Sequence, residues 1–238
     1  MAVVTEPRPA RRHQWGLGAF LLVEAVYLLT SVLVAIPFAT AERAHVSILL
    51  VAVGVPSVLA AALAILITRL RGNGPRIDLR LRWSWRAAGF GLAFGVGGLL
   101  VTIPASLLWT QIVGEDANSS AGEVFGAARG TWGWAVAVFV LIAIVAPVCE
   151  EILYRGLLWD ALDQRWGRWV AFGVTTVVFA IAHLELTRTP LLLVVAIPIG
   201  LARLYTDNLS ASIVAHQVTN LLPGLVLMFA VAGVMPAV

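Results

Sequence analysis

The sequence predicts an all-α fold, a polytopic bundle of about eight membrane-crossing helices, on three observations. Hydrophobic residues make up 60% of the 238 and charged residues only 12%, where a soluble domain carries roughly a quarter charged residues. The mean hydropathy is +0.92. The apolar residues are gathered into long runs separated by charged connections, and a run of about 20 is what a helix needs to cross the hydrocarbon core.

Taken in order, the first span is 15–38, interrupted only by Glu24. Arg8, Arg11 and Arg12 precede it and the small residues Ala39, Thr40 and Ala41 follow. Its apolar stretch exceeds the roughly 7–15 residues of a signal-peptide core, so it reads as a retained anchor. Spans at 46–68 and 87–113 come next, the latter with a Gly91-Gly95 step that permits close helix packing. The fourth, 132–149, has no formal charge until it meets Glu150 and Glu151. Pro147 lacks a backbone donor and predicts a bend just before that pair. From Glu150 to Asp163 the chain stays helix-compatible, with Gly167 as the stop before a reversal. Shorter runs at 170–183 and 190–202 follow. The uncharged segment 208–238, interrupted by Pro223 and Gly224, is long enough for two short or tilted helices, which brings the total to seven or eight. Without repeats or linkers, residues 1–238 read as a single integral membrane domain.

The net charge of +3 comes from arginine, since the chain contains no lysine. These charges belong to loops at a membrane surface and do not imply nucleic acid. Arg69, Arg71, Arg76, Arg80, Arg82 and Arg86 lie between the second and third spans, whereas 114–130 holds Glu115, Asp116 and Glu123 against Arg129. The positive-inside rule then puts the N-terminus and the 69–86 connection in the cytoplasm. That topology carries His183 toward the outer surface. A lone Cys149 excludes an internal disulfide framework.

The chemistry concentrates in CEEILYRG, 149–156. Ionisable residues in a membrane helix are costly unless paired or solvated. Glu151 and Arg155 are four apart with the acid first, the favourable order for a helical ion pair. Glu150 then points elsewhere around the helix, free to act as a base. The pair alone could equally mark the membrane interface after Val148. Two further residues weigh against that reading. His183 ends one apolar run and His216 lies in another, while His13 and His45 fall at boundaries. Glu150 and His183 flank Gly167 at nearly equal separations, about 25 Å along two antiparallel helices. His216 and Asn220, four apart, share one helical face. An acid, two imidazoles and a carboxamide could thus converge within the membrane.

These residues resemble the CPBP family, the type II CAAX prenyl endopeptidases and bacteriocin-processing or abortive-infection proteins. The EExxxR motif is Glu150, Glu151 and Arg155; the FxxxH motif is Phe179 and His183; the HxxxN motif is His216 and Asn220. The resemblance covers about 132–220, a family-like catalytic core. It implies an intramembrane endopeptidase in which Glu150 and His183 activate water and His216 and Asn220 stabilise the oxyanion. Glu151 and Arg155 would then support the helix, and Phe179 would pack. The implied partners are a membrane-associated or lipidated peptide or protein and the bilayer, in a bacterial cytoplasmic membrane.

Metal-independent chemistry, with no cofactor, is the expectation. The alternative is zinc, with Glu150, His183 and His216 as ligands and water as the fourth. The chain lacks HExxH, and with Glu151 committed to Arg155 no second carboxylate remains as base. Cys149 reads as an inert buried thiol. The rival from another class is a transporter or scaffold with a buried Glu/His proton relay. Such a relay has no need of the amide donor Asn220.

Overall fold

The computed structural model describes residues 14–36, 45–114 and 119–235. Among them there is no β-strand, and seven long helices form the bundle. They are α1 (Leu17–Ala35), α2 (Val46–Arg71), α3 (Trp85–Val113), α4 (Trp132–Trp166), α5 (Arg168–Ala182), α6 (Thr189–Thr206) and α7 (Leu209–Val231). All except α5 are long and apolar enough to cross a membrane. Short helices Pro75–Asp78 and Ser120–Phe125 lie in the connections. Arg8, Arg11, Arg12, His13, the 39–41 stretch, Glu115 and Asp116 lie outside the described residues.

One element differs from the sequence expectation, and another adds detail to it. The C-terminal run forms one helix, not two, because α7 continues through Pro223. Proline removes one backbone hydrogen bond there, but Gly224 packs closely on α4, where an added Cβ would lie 3.1 Å from Ala143 Cβ. The fourth span runs on past the glutamates to Trp166, as the helix-compatible stretch up to Gly167 predicted, in a single helix of 35 residues. Around Pro147 it changes hydrogen-bond register. A π-helical turn at Leu141–Val145 precedes the α-helical Ala146–Glu151, and a second π segment, Ile152–Leu158, follows. Such π turns inside α-helices occur frequently at functional sites.

Contacts between connections define the two ends of the bundle. At one end Gln14 N–H donates to Arg71 O at 2.7 Å, Asn208 Nδ2 to Arg82 O at 2.7 Å, and Leu209 N–H to Arg80 O at 3.2 Å. Arg80 also pairs with Asp163 at 3.2 Å and with Asp207. The start of α1, the α2–α3 connection, the α4–α5 turn and the α6–α7 turn therefore share that end. Gly167, with φ +81°, makes the α4–α5 turn as expected. At the opposite end Gly130 N–H donates to Val231 O at 2.9 Å and Ser120 N–H to Glu185 Oε1 at 2.7 Å.

The small residues of α3 set how closely α7 approaches. A Cβ on Gly91 would lie 2.4 Å from Ala211 O, and one on Gly95 would lie 2.7 Å from Val218 Cβ. The glycine step therefore does what the sequence predicted. Gly95→Leu is expected to cost about 1–3 kcal/mol, the usual range for overpacking. It should also lower activity, because Val218 stands two residues from His216. Thermal unfolding in detergent measures the first effect; an unchanged midpoint would contradict the packing.

Candidate active site

Glu150 and Glu151 occupy the α-helical segment between the two π turns of α4. Glu151 and Arg155 are completely buried and pair at 2.9 Å. Arg155 also donates to Ala196 O at 3.4 Å, and its guanidinium lies 4.4 Å from the centre of the Phe179 ring. This cation–π contact suits a desolvated arginine. Arg203, also fully buried, supports the same turn by donating from Nε to Arg155 O at 3.1 Å.

The Glu151–Arg155 pair stands as the spacing predicted, but Glu151 has a second partner that the sequence did not reveal. Its Oε1 is 2.9 Å from Nδ1 of buried His216. A carboxylate paired with arginine can only accept, so His216 Nδ1 carries the proton. This fixes the ring and turns Nε2 toward Glu150, whose Oε2 is 3.7 Å away. Glu150, 29% exposed in its side chain, faces open space.

His183 closes α5 as its C-cap residue. Its Nδ1 lies 2.7 Å from Phe179 O, a carbonyl that can only accept, so Nδ1 donates and Nε2 keeps its lone pair. Leu184 then turns the chain in the left-handed region, φ +57°, a conformation uncommon for a non-glycine residue and often found at functional sites. Phe179 is the wedge between the two imidazoles, edge-on to His183 at 4.7 Å and to His216 at 5.6 Å between ring centres. Asn220 donates one N–H of its amide to Ile142 O at 3.2 Å, within the first π turn. An amide nitrogen has a second N–H.

Glu150, His183, His216 and Asn220 all line one cavity of about 480 Å³. The residues that sequence spacing singled out on three helices are thus brought to one place. Cys149, buried, lines it too. Sequence reasoning missed other parts of the site. Tyr27 on α1 and Tyr154 on α4 line the cavity, and the Tyr154 hydroxyl lies 3.3 Å and 3.5 Å from the two oxygens of Glu24. Glu24 therefore faces the EExxxR segment of α4. Tyr154 is four residues after Glu150, and helical spacing was the signal that could have found it. At the mouth, Glu185 accepts the Ser120 N–H and pairs with Arg188. Burial pushes the Glu185 carboxyl up, but hydrogen bonds from Ser120, with Arg188 and His183 nearby, hold it below its ordinary value. Its contribution to stability is present above the ordinary carboxylate range and is lost as pH falls through the lowered value.

Zinc matches part of this chemistry. His216 carries a carboxylate on its other nitrogen, as metal-bound imidazoles usually do. Among the described residues, however, no three His, Cys, Asp or Glu side chains converge as a ligand set. The arrangement does not fit a three-ligand zinc, and no step below is routed through a metal.

The constellation coincides with a segment that resembles known membrane peptidases. Residues 132–222 match the family described as type II CAAX prenyl endopeptidase Rce1-like, a segment that takes in all three motifs. The match agrees with the resemblance that the motifs carry. The chain is 27% identical over 151 residues to a Bacillus subtilis (strain 168) protein provisionally named membrane peptidase YdiL. That match covers 62% of this chain and 57% of the relative, so the chain spans little more than half of that protein's length. It is also 23% identical over 224 residues to the membrane-embedded CAAX protease MroQ of Staphylococcus aureus (strain USA300), covering 86% of this chain and 87% of MroQ. No solved structure matches it.

Proposed function

We propose that the chain is an intramembrane endopeptidase that hydrolyses a peptide bond of a membrane-associated or lipidated peptide or protein. The observation that supports this best is the convergence of Glu150, His183, His216 and Asn220 on one cavity. Water bound between Glu150 and His183 Nε2 gives a proton to Glu150 as its oxygen bonds to the scissile carbonyl carbon. The carbonyl electron pair moves onto oxygen. The second amide N–H of Asn220 and Nε2–H of His216 meet that oxyanion, and one such donor contributes about 3 kcal/mol of barrier lowering. Because Nδ1–H of His216 is held by Glu151, Nε2 donates only when the ring carries a second proton. Glu151 beside Nδ1 compensates that charge, together with the oxyanion itself, while Glu150 holds the water proton as a neutral carboxyl. As the carbonyl re-forms, the C–N bond breaks and the proton on Glu150 passes to the leaving amine.

Tyr154, Phe179 and Arg155 hold this geometry. The arginine-rich end of the bundle, and the N-terminus with it, is assigned to the cytoplasm of a bacterial membrane on the positive-inside rule. Water activation by Glu150 and His183 needs no metal, so purified protein stripped with a strong chelator should keep its cleavage rate. A metal that generated the nucleophile would lower the bound water's pKa from 15.7 to about 7, and its removal would be severe. Activity lost on stripping and regained with stoichiometric zinc would make Glu150, His183 and His216 ligands and overturn this mechanism.

A further inference from the structure

We infer that the active-site cavity opens on the extracytoplasmic side of the membrane, so that the peptides it cuts are segments presented on that side and not cytosolic tails. The second half of that statement rests on the endopeptidase reading; the first rests on how charge and cavity are distributed between the two ends of the bundle.

The end that joins the α2–α3 connection to the α4–α5 and α6–α7 turns collects most of the cations. Arg69, Arg71, Arg76, Arg80, Arg82 and Arg86 lie there, and Arg165 and Arg168 flank the α4–α5 turn. All sit close to helix ends in short connections, where lysine and arginine bias decides orientation. Of the described arginines in the connections, the opposite end has Arg129 and Arg188. Arg129 donates to Gly126 O and Ala128 O, and Arg188 is neutralised by Glu185. Glu123 adds a negative charge at that end. Reversing the molecule would carry the whole arginine cluster across the bilayer.

The cavity runs from the middle of the bundle to its cation-poor end. Its lining includes Ser119, Ser120, Leu184, Glu185 and Arg188 at the cation-poor end of the bundle, which we take as the mouth, and Tyr154, Phe179 and His216 from the middle of the bundle, which we take as the floor. No residue of the connections at the arginine-rich end lines it. Arg155, Leu157, Leu158, Trp159 and Arg203 are all buried beneath the floor. The Arg203 guanidinium lies 5.2 Å from the Trp159 ring centre, and Arg80 ties Asp163 to Asp207 across the end of the bundle. A peptide in the cytoplasm would have to pass this packed layer to reach Glu150. A peptide on the outer side meets the mouth directly, beneath the Ser120–Phe125 helix that Glu185 holds in place. The substrate class that follows is an exported peptide, or the outer end of a membrane-anchored one.

Cysteine labelling in intact cells tests the side of the cavity without depending on catalysis. The full-length chain carries Cys149→Ala together with either Ser120→Cys at the mouth or Arg76→Cys at the other end, both exposed positions. A membrane-impermeant maleimide should label Ser120→Cys before lysis and Arg76→Cys only after permeabilisation. Thr131→Cys, exposed at the mouth end, reports the same side should the serine variant fail to accumulate. Mouth positions protected until permeabilisation, or both ends labelled in intact cells, would overturn the inference. A quenched, membrane-impermeant peptide added to oriented vesicles tests the substrate side. Cleavage is expected in right-side-out vesicles and lost in inside-out ones, and the opposite pattern contradicts the inference. The expected labelling with no cleavage in either preparation leaves the side of the cavity standing and removes the endopeptidase reading.

Discussion

Glu150→Gln is expected to reduce peptide cleavage by roughly 10²- to 10⁴-fold, the range supplied by a positioned general base, while thermal unfolding stays at the wild-type midpoint. The amide keeps the shape of the side chain but does not take a proton from water. Glu150 is partly exposed to the cavity and its ionic contact is with His216 at 3.7 Å, so its charge does little for folding. Purified variant and wild type compared with a quenched peptide and by melting in detergent separate the two effects. Cleavage within a factor of a few of wild type would remove Glu150 from its assigned role.

Glu151→Gln has the opposite balance and a larger structural effect. The carboxylate neutralises Arg155, and both side chains are wholly buried. Removing one member of a buried ion pair leaves an uncompensated charge and costs about 3–5 kcal/mol. The same substitution loosens His216, because Oε1 of Glu151 holds its Nδ1. The expected result is a lowered unfolding midpoint together with reduced kcat. Arg155→Met distinguishes the two duties. It removes the cation with its partner still bound to His216, so it should lose stability but retain more kcat than Glu151→Gln. Equal kcat in the two variants would mean that Glu151 acts only as a counter-charge.

The membrane spans were legible because lipid forces them to be continuous apolar runs, and each of the runs became a helix. Boundaries governed by tertiary contacts were not. Pro223 looked like a break, yet the packing of Gly224 on Phe139 and Ala143 carries α7 through it. The charges after Cys149 could equally have marked the membrane interface, but Arg155 is paired, stacked on Phe179 and sealed in. The helical pair Glu151–Arg155 and the shared face of His216 and Asn220 are local, and spacing revealed them. The Glu151–His216 contact joins residues 65 apart, and the Tyr154–Glu24 contact joins residues 130 apart. No local pattern encodes such pairings. For the same reason α1 read as an anchor, although Phe20 and Val23 are core residues and Tyr27 lines the cavity.

The central claim is that this cavity hydrolyses peptide bonds through Glu150. Quantitative mass spectrometry of membrane and secreted peptides, from cells carrying wild type or Glu150→Gln at matched levels, tests it most directly. New peptide termini should appear with wild type and be absent with the variant, their uncut precursors accumulating in its place. Indistinguishable peptide populations, with both proteins folded in the membrane, would contradict the account.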